Sequence, residues 1–308
     1  MFGECHMHML MNGVNYREAV NLHKSGVQDS DIRCKLEQYR KMGITFIRDG
    51  GDALGVSARA AQLAPEYGIT YRTPLFAIHK KGHYGGIVGY DFENWKEYRG
   101  LIDRSRREGG DFIKVMFSGI LDFGRDGVLT EESLDREEIR EMIHIAHEEG
   151  FAVMAHVNGA DAVRAAAEAG VDSVEHGNFA DEECLYAMAE YHTIWVPTYV
   201  TITNLIGSGR FDDASLCRLR DRQGALIRRG MELGVTIAAG SDAGAYRVPH
   251  GQGLYDEYCE LRRLAGVPVN VHGEATLAPD YDKLMTAEEF DLRLAAAENE
   301  VRRRFARL

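Results

Sequence analysis

Two histidines spaced by one residue, His6 and His8, close the first apolar run of the chain. Residues two apart on a strand point to the same face, so both imidazoles would aim at one spot. Four more polar residues end later apolar runs: Lys114, His156, His176 and Asp242. Neutral imidazole and carboxylate are ligands that a borderline cation such as zinc accepts. A lone His-x-His is weak evidence, because strand histidines are often hydrogen-bonded core residues. Position decides: each of the six sits at the C-terminal end of a predicted strand. Phe112, Lys114 and Met116 would share a face, as would Met154 with His156, Val174 with His176, and Ala238 and Gly240 with Asp242. A lysine inside such a core is costly unless it is paired or chemically altered.

The elements that must bring these groups together follow from hydrophobic periodicity. Strands are predicted at 2–8, 44–49, 69–78, 112–118, 151–156, 173–176, 193–199 and 235–241. Helices are predicted near 31–42, 55–67, 92–108, 135–149, 160–169, 181–191 and 214–233, with 253–264 following the eighth strand. Asp135 and Asp181 stand where acidic N-caps belong, and Gly43, Gly68, Gly150, Gly170 and Gly234 fall between a helix and the next strand, where a left-handed residue is wanted. Eight such units in series predict an α/β fold, a (β/α)8 TIM barrel, whose active sites gather at the C-terminal strand ends. An open doubly wound sheet gives no reason for ligands of strands one, four, five, six and eight to converge. The barrel is expected over 1–266. Residues 267–308 read as a loop and an extra C-terminal helix, packed on the barrel or on a neighbouring subunit.

Composition narrows the partners. With 36 basic against 48 acidic residues, the formal charge of −12 argues against nucleic acid and anionic membrane surfaces. No apolar stretch approaches 18 residues and no leader pattern opens the chain, so a cytoplasmic protein with a small-molecule substrate is expected, as a homo-oligomer. The five cysteines form no CxxC pair and read as reduced thiols. Cys5, beside His6, is expected to turn to the opposite strand face as a packed core thiol.

The stretches Glu4-Cys5-His6-Met7-His8, Gly43–Asp49, Phe112–Met116 with Ser118-Gly119, Ala155-His156, Asp172–Gly177, Val196-Pro197-Thr198 and Gly240–Gly244 together resemble the amidohydrolase superfamily, in its prolidase-like and imidazolonepropionase-related branch. The resemblance spans the chain from its start to about Gly253. It implies a centre of two divalent metal ions, zinc above all. His6, His8 and Asp242 would hold the more buried ion, and His156 and His176 the more exposed one. Lys114, carbamylated by carbon dioxide, would bridge both. It further implies attack by a metal-bridging hydroxide, with Asp242 as proton shuttle. Glu4 stands where the superfamily more often has Asp. The small β-sandwich that most relatives build from both chain ends is not recognisable.

Four residues near the expected mouth are substrate candidates. His83 lies in a Gly-rich loop after the third strand, where relatives carry a histidine that contacts the reacting group. Tyr199, at the end of the seventh strand, either donates its phenol to substrate or packs as an aromatic. In the eighth βα loop, Arg247 either clamps a substrate carboxylate or pairs on the rim, and His250 lies nearby. His23, His144, His147, His192 and His272 lack partners at ligand spacing and read as ordinary residues. The favoured function is hydrolysis of an amide or peptide-like C–N bond, of a dipeptide or an N-acyl amino acid. Alternatives are a lactonase or ester hydrolase with the same centre, a one-metal deaminase or cyclic amidohydrolase, and a non-catalytic binding barrel.

Overall fold

The computed structural model describes residues 3–125, 127–271, 274–276 and 281–307. Residue 2 of the first predicted strand, His272, and residues 277–280 of the C-terminal loop lie outside the described residues. In chain order the strands are β1 (Glu4–Met7), β2 (Phe46–Asp49), β3 (Thr70–Arg72), β4 (Ala77–Lys80), β5 (Gly89–Phe92), β6 (Ile113–Met116), β7 (Val153–Val157), β8 (Ser173–His176), β9 (Ile194–Val196), β10 (Thr236–Ile237), β11 (Val269–Val271) and β12 (Glu274–Thr276). One sheet runs β1-β2-β3 and another β10-β9-β8-β7-β6-β4-β5, both parallel throughout. The third is the antiparallel pair β11-β12. The chain is thus an α/β fold with parallel sheets.

Hydrogen bonds run between the two large sheets. Cys5 N donates to Ala239 O at 3.0 Å, Asp242 N to His6 O at 2.7 Å and His8 N to Ala243 O at 2.9 Å. At the other side Asp111 N donates to Thr73 O at 2.8 Å. Helices separate most of the strands, and four of them start on side-chain caps: Asn94, Asp135, Asp181 and Asp212 accept from the backbone of Glu97, Glu138, Cys184 and Ser215.

Three predicted strands needed correction. The third, 69–78, is broken into β3 and β4, because Pro74 has no N–H to donate to a ladder and Leu75 takes a left-handed φ of 71°. β5, which pairs with β4, was not anticipated. The seventh stops at Val196, before Pro197, and Tyr199 leads instead into the helix Val200–Thr203. The eighth shortens to β10, with 238–243 lying beside β1 through the bonds above. A helix at Tyr16–His23, capped by Asn15, was not predicted.

Apolar side chains from the strands and flanking helices, among them Ile47, Val115, Val153, Val174, Ile102, Ile143 and Val163, form the main core. A second cluster gathers Cys5, Phe46, Phe112, Met154, Val196 and Ala238 from both large sheets, and Ala297, Val301 and Phe305 cover it. The C-terminal helix, Ala287–Arg304, therefore packs on its own chain. It starts in a capping box formed by Thr286 and Glu289, and burying Phe305 contributes roughly 1.5–3 kcal/mol. Cys5 is a packed thiol as expected, but it joins this cluster rather than the opposite face, because the β1–β2 register shifts between Glu4 and Met7. All five cysteines are free thiols. Among the described residues, no helix is long and apolar enough to cross a membrane.

Candidate metal centre

His6, in β1, and His8, one residue past its end, aim at one spot, and the 240–244 turn brings Asp242 opposite them. His6 Nε2 and His8 Nε2 each lie 3.6 Å from Asp242 Oδ1, and one donor atom from each of the three lies within 4.8 Å of the others. Close approach requires glycine at two places. A Cβ at Gly50 would lie 2.8 Å from His8 Nε2, and one at Gly240 would lie 2.8 Å from His6 N and 2.5 Å from Val196 Cγ1. Glu4 ties the two ligand-bearing segments together: its carboxylate accepts from Ser241 N at 2.8 Å, Ser241 Oγ at 2.6 Å and His6 N at 3.3 Å.

The remaining expected ligands border this trio. The His156 and His176 rings stand 4.6 Å apart, and His176 is 5.0 Å from His6. Thr198 Oγ1 lies 2.7 Å from His176 Nδ1, which leaves the other ring nitrogen for the centre. His156 Nε2 lies 3.2 Å from Gly119 O and 3.4 Å from Asn158 Nδ2. Lys114 is buried, and among the described residues its Nζ has no hydrogen-bond partner.

The electrostatics fit a cation. Burial, then Lys114, holds His6 well below the usual histidine range and pushes His8 down to about 3. Burial and Lys114 likewise lower His156 to about 3, while burial and His156 hold His176 well below normal. The four imidazoles are therefore neutral at pH 7, with lone pairs to offer. His6 Nδ1 meets Glu175 Oε2 at 2.6 Å, and a carboxylate only accepts, so the lone pair of His6 sits on Nε2. Among the described residues that atom is buried without a partner, 3.6 Å from Asp242 Oδ1, and a lone pair facing an ionised Asp242 is unfavourable unless a cation lies between. Burial pushes Asp242 up to about 8 and Lys114 down to about 8. The donor set of imidazoles and a carboxylate suits zinc.

Backbone strain concentrates here. His176, Thr198 and Asp242 hold left-handed φ values of 66°, 47° and 59°, costing of order 1–3 kcal/mol each. At His176 the consequence is chemical. Val174 packs in the main core, while Ser173 and Glu175 reach Arg48 on the other face; the left-handed residue then turns the His176 ring to that same face. The expected sharing of a face by Val174 and His176 is thus corrected.

The expected substrate residues are spread out. His83 is partly exposed, with Nδ1 3.5 Å from Glu131 Oε1. The next residue, Tyr84, puts its ring 5.3 Å from that of His156, and Glu131 also accepts from its backbone N–H at 2.6 Å. The Tyr199 phenol donates to Arg220 O at 2.7 Å and abuts Gly224, so it faces the helix Asp213–Leu233 rather than the imidazoles. His250 is a buried bridge: Nδ1 lies 3.1 Å from Tyr39 Oη and Nε2 2.8 Å from Met11 O, leaving no ring nitrogen for substrate. Arg247 is exposed, and its backbone is bonded to Gly13 and Asn204. Sequence reasoning missed Arg48, Glu175, Thr198 and Tyr84. A charged pair inside predicted strands, Arg48 in 44–49 and Glu175 in 173–176, was the available signal.

No family model matches the chain. An uncharacterised protein of Mycobacterium tuberculosis is 33% identical over 253 residues, covering 80% of this chain and 66% of the relative. Ochratoxinase of Aspergillus niger is 29% identical over 212 residues, covering 67% of this chain and 40% of its own. The chain thus spans just under two thirds of the mycobacterial relative and less than half of the fungal one. Among solved structures, a Xaa-Pro dipeptidase with bound methionine in its active site superposes with a TM-score of 0.74 at 20% identity, covering 98% of this chain and 75% of its own. The A. niger ochratoxinase structure gives 0.66 at 23% identity, covering 85% and 68%. The chain carries the fold of the prolidase-like amidohydrolases, and with one member of that superfamily, ochratoxinase, it shares sequence as well.

Proposed function

We propose that the protein is a metal-dependent hydrolase of an amide or peptide-like C–N bond, in an N-acyl amino acid or a dipeptide, built on a closed (β/α)8 barrel. The carrying observation is the convergence of His6, His8 and Asp242, with His6 Nε2 buried, unpartnered among the described residues and 3.6 Å from Asp242 Oδ1. The bonds from Cys5, His8 and Asp242 between the two large sheets support reading them as one cylinder. The amide-cleaving neighbours support the reaction class.

His6, His8 and Asp242 would hold one ion, and His156 and His176, turned inward beside them, a second. Lys114 would bridge the two as a carbamate. Its buried amine, lowered to about 8, is partly neutral at pH 7. The neutral nitrogen can attack carbon dioxide, releasing one proton and leaving an anionic oxygen ligand where the ammonium stood. Bound there, the metal pair would polarise the scissile carbonyl and make water nucleophilic near neutral pH. Asp242, whose side chain reaches partly exposed space, would be ionised beside the cations and would take the proton from attacking water and pass it to the leaving nitrogen. Glu4 and Ser241 hold the segment carrying it in place.

The test is a hydrolysis panel on zinc-loaded protein: dipeptides, N-acyl amino acids and, as competitors, lactones. Turnover of amides that Asp242→Asn abolishes is expected. Turnover of lactones alone would overturn the substrate assignment.

A further inference from the structure

The mechanism above makes no use of Arg48, although it is among the largest fully buried side chains in the chain. Its guanidinium makes three directed bonds: Nε donates to Cys5 O at 2.6 Å, Nη1 to Ser173 Oγ at 2.8 Å and Nη2 to Glu175 Oε1 at 2.8 Å. The other oxygen of Glu175 accepts from His6 Nδ1 at 2.6 Å. On the guanidinium face lies Phe305, with its ring centroid 4.3 Å from Cζ. Phe305 follows the C-terminal helix and packs edge-on to Phe112 at 5.2 Å, so it is fixed from a second side.

We infer that Phe305, Arg48 and Glu175 form a buried positioning relay that sets the tautomer and direction of His6. This rests on the metal-site reading above. Arg48 grips β1 twice, at the carbonyl of Cys5 next to the ligand and, through Glu175, at the ligand's own ring. With Arg48 donating to one oxygen, the Glu175 carboxylate accepts from His6 on the other, which holds hydrogen on Nδ1 and leaves Nε2 free to ligate. Without Glu175 the proton is free to settle on Nε2, and the ring loses its hydrogen bond at Nδ1. Groups that orient ligating histidines in this way are worth about 10- to 100-fold in metal affinity. The C-terminal helix then serves the centre from the opposite end of the strands, since Phe305 covers the guanidinium that holds the relay.

Two measurements test this. The first is long-range ¹H–¹⁵N correlation of the imidazoles in metal-free protein, with His6→Gln assigning the signal. His6 is expected as the Nδ1–H tautomer in the parent, and an Nε2–H tautomer there would overturn the relay. The second is zinc affinity by chelator competition on folded protein. Glu175→Gln should bind one of its ions about 10- to 100-fold more weakly, Glu175→Asp should recover part of that loss, and Phe305→Leu should weaken the same ion. Parent-like affinity in Glu175→Gln would refute the inference. If that variant does not fold, the parent's tautomer and Phe305→Leu decide. A parent that binds no zinc yet shows Nδ1–H on His6 would sink the metal-site reading while leaving the tautomer assignment standing.

Discussion

Replacing Gly50 by alanine puts one methyl group against a metal ligand. The added Cβ would stand 2.8 Å from His8 Nε2 and 2.9 Å from Nδ1, and nearer still to the carbon between them, whereas ordinary contact begins at 3.4 Å. Bringing the ring's nearest carbon to ordinary contact takes a retreat of about 1 Å. Gly50 does not occupy the left-handed region, so alanine is free to adopt its backbone and the effect is steric. Retreat moves Nε2 from its place 3.6 Å from Asp242 Oδ1. Overpacking of this kind costs roughly 1–3 kcal/mol of stability, and a displacement approaching 1 Å at a reacting centre costs on the order of 100-fold in rate. The assay pairs thermal unfolding with zinc affinity and amide turnover on the folded variant. A Gly50→Ala protein with parental zinc affinity and turnover would refute the placement of His8 in the centre.

Lys114→Met should separate stability from function. It removes a buried amine without a partner, so metal-free protein in chelator should gain roughly 1–3 kcal/mol on denaturant unfolding, while amide turnover is lost; retained turnover would contradict the bridging role. Tyr199→Phe loses the bond to Arg220 O and should cost about 0.5–1.5 kcal/mol with kcat unchanged. A tenfold fall in kcat at parental stability would return the phenol to the active site. Burial pushes Glu257 from 4.5 up to about 8, so the fold favours its protonated form. Its contribution is full below about 4.5 and is lost as pH rises through 8. Glu257→Gln should therefore lose less Tm than the parent between about pH 5 and 9; an equal loss would contradict that assignment.

The parts of the site that obey a period of two were legible in the chain. Lys114 above Phe112 and His156 above Met154 lie along pleated strands, where alternation alone fixes direction; His8 falls just past β1, whose register shifts between Glu4 and Met7. What escaped reading depends on departures from that period. A left-handed residue at His176 lets Glu175 and His176 serve the same side, which alternation forbids. Pro197 ended the seventh strand early and rotated Tyr199 toward a helix. His250 appeared near the mouth by loop position, yet Tyr39 and Met11, far away in sequence, claim both its nitrogens. Arg48 looked like one more charge in a strand, because its meaning lies in Glu175 and Phe305, which only the fold brings to it.

The central claim is that these side chains hold a pair of cations. The direct measurement is the metal content of folded parent protein, produced with zinc and bicarbonate and freed of loose metal by gel filtration. About two zinc ions per chain are expected, falling toward none when His6 and His8 are both replaced by alanine. A parent that retains no metal under those conditions would contradict the account.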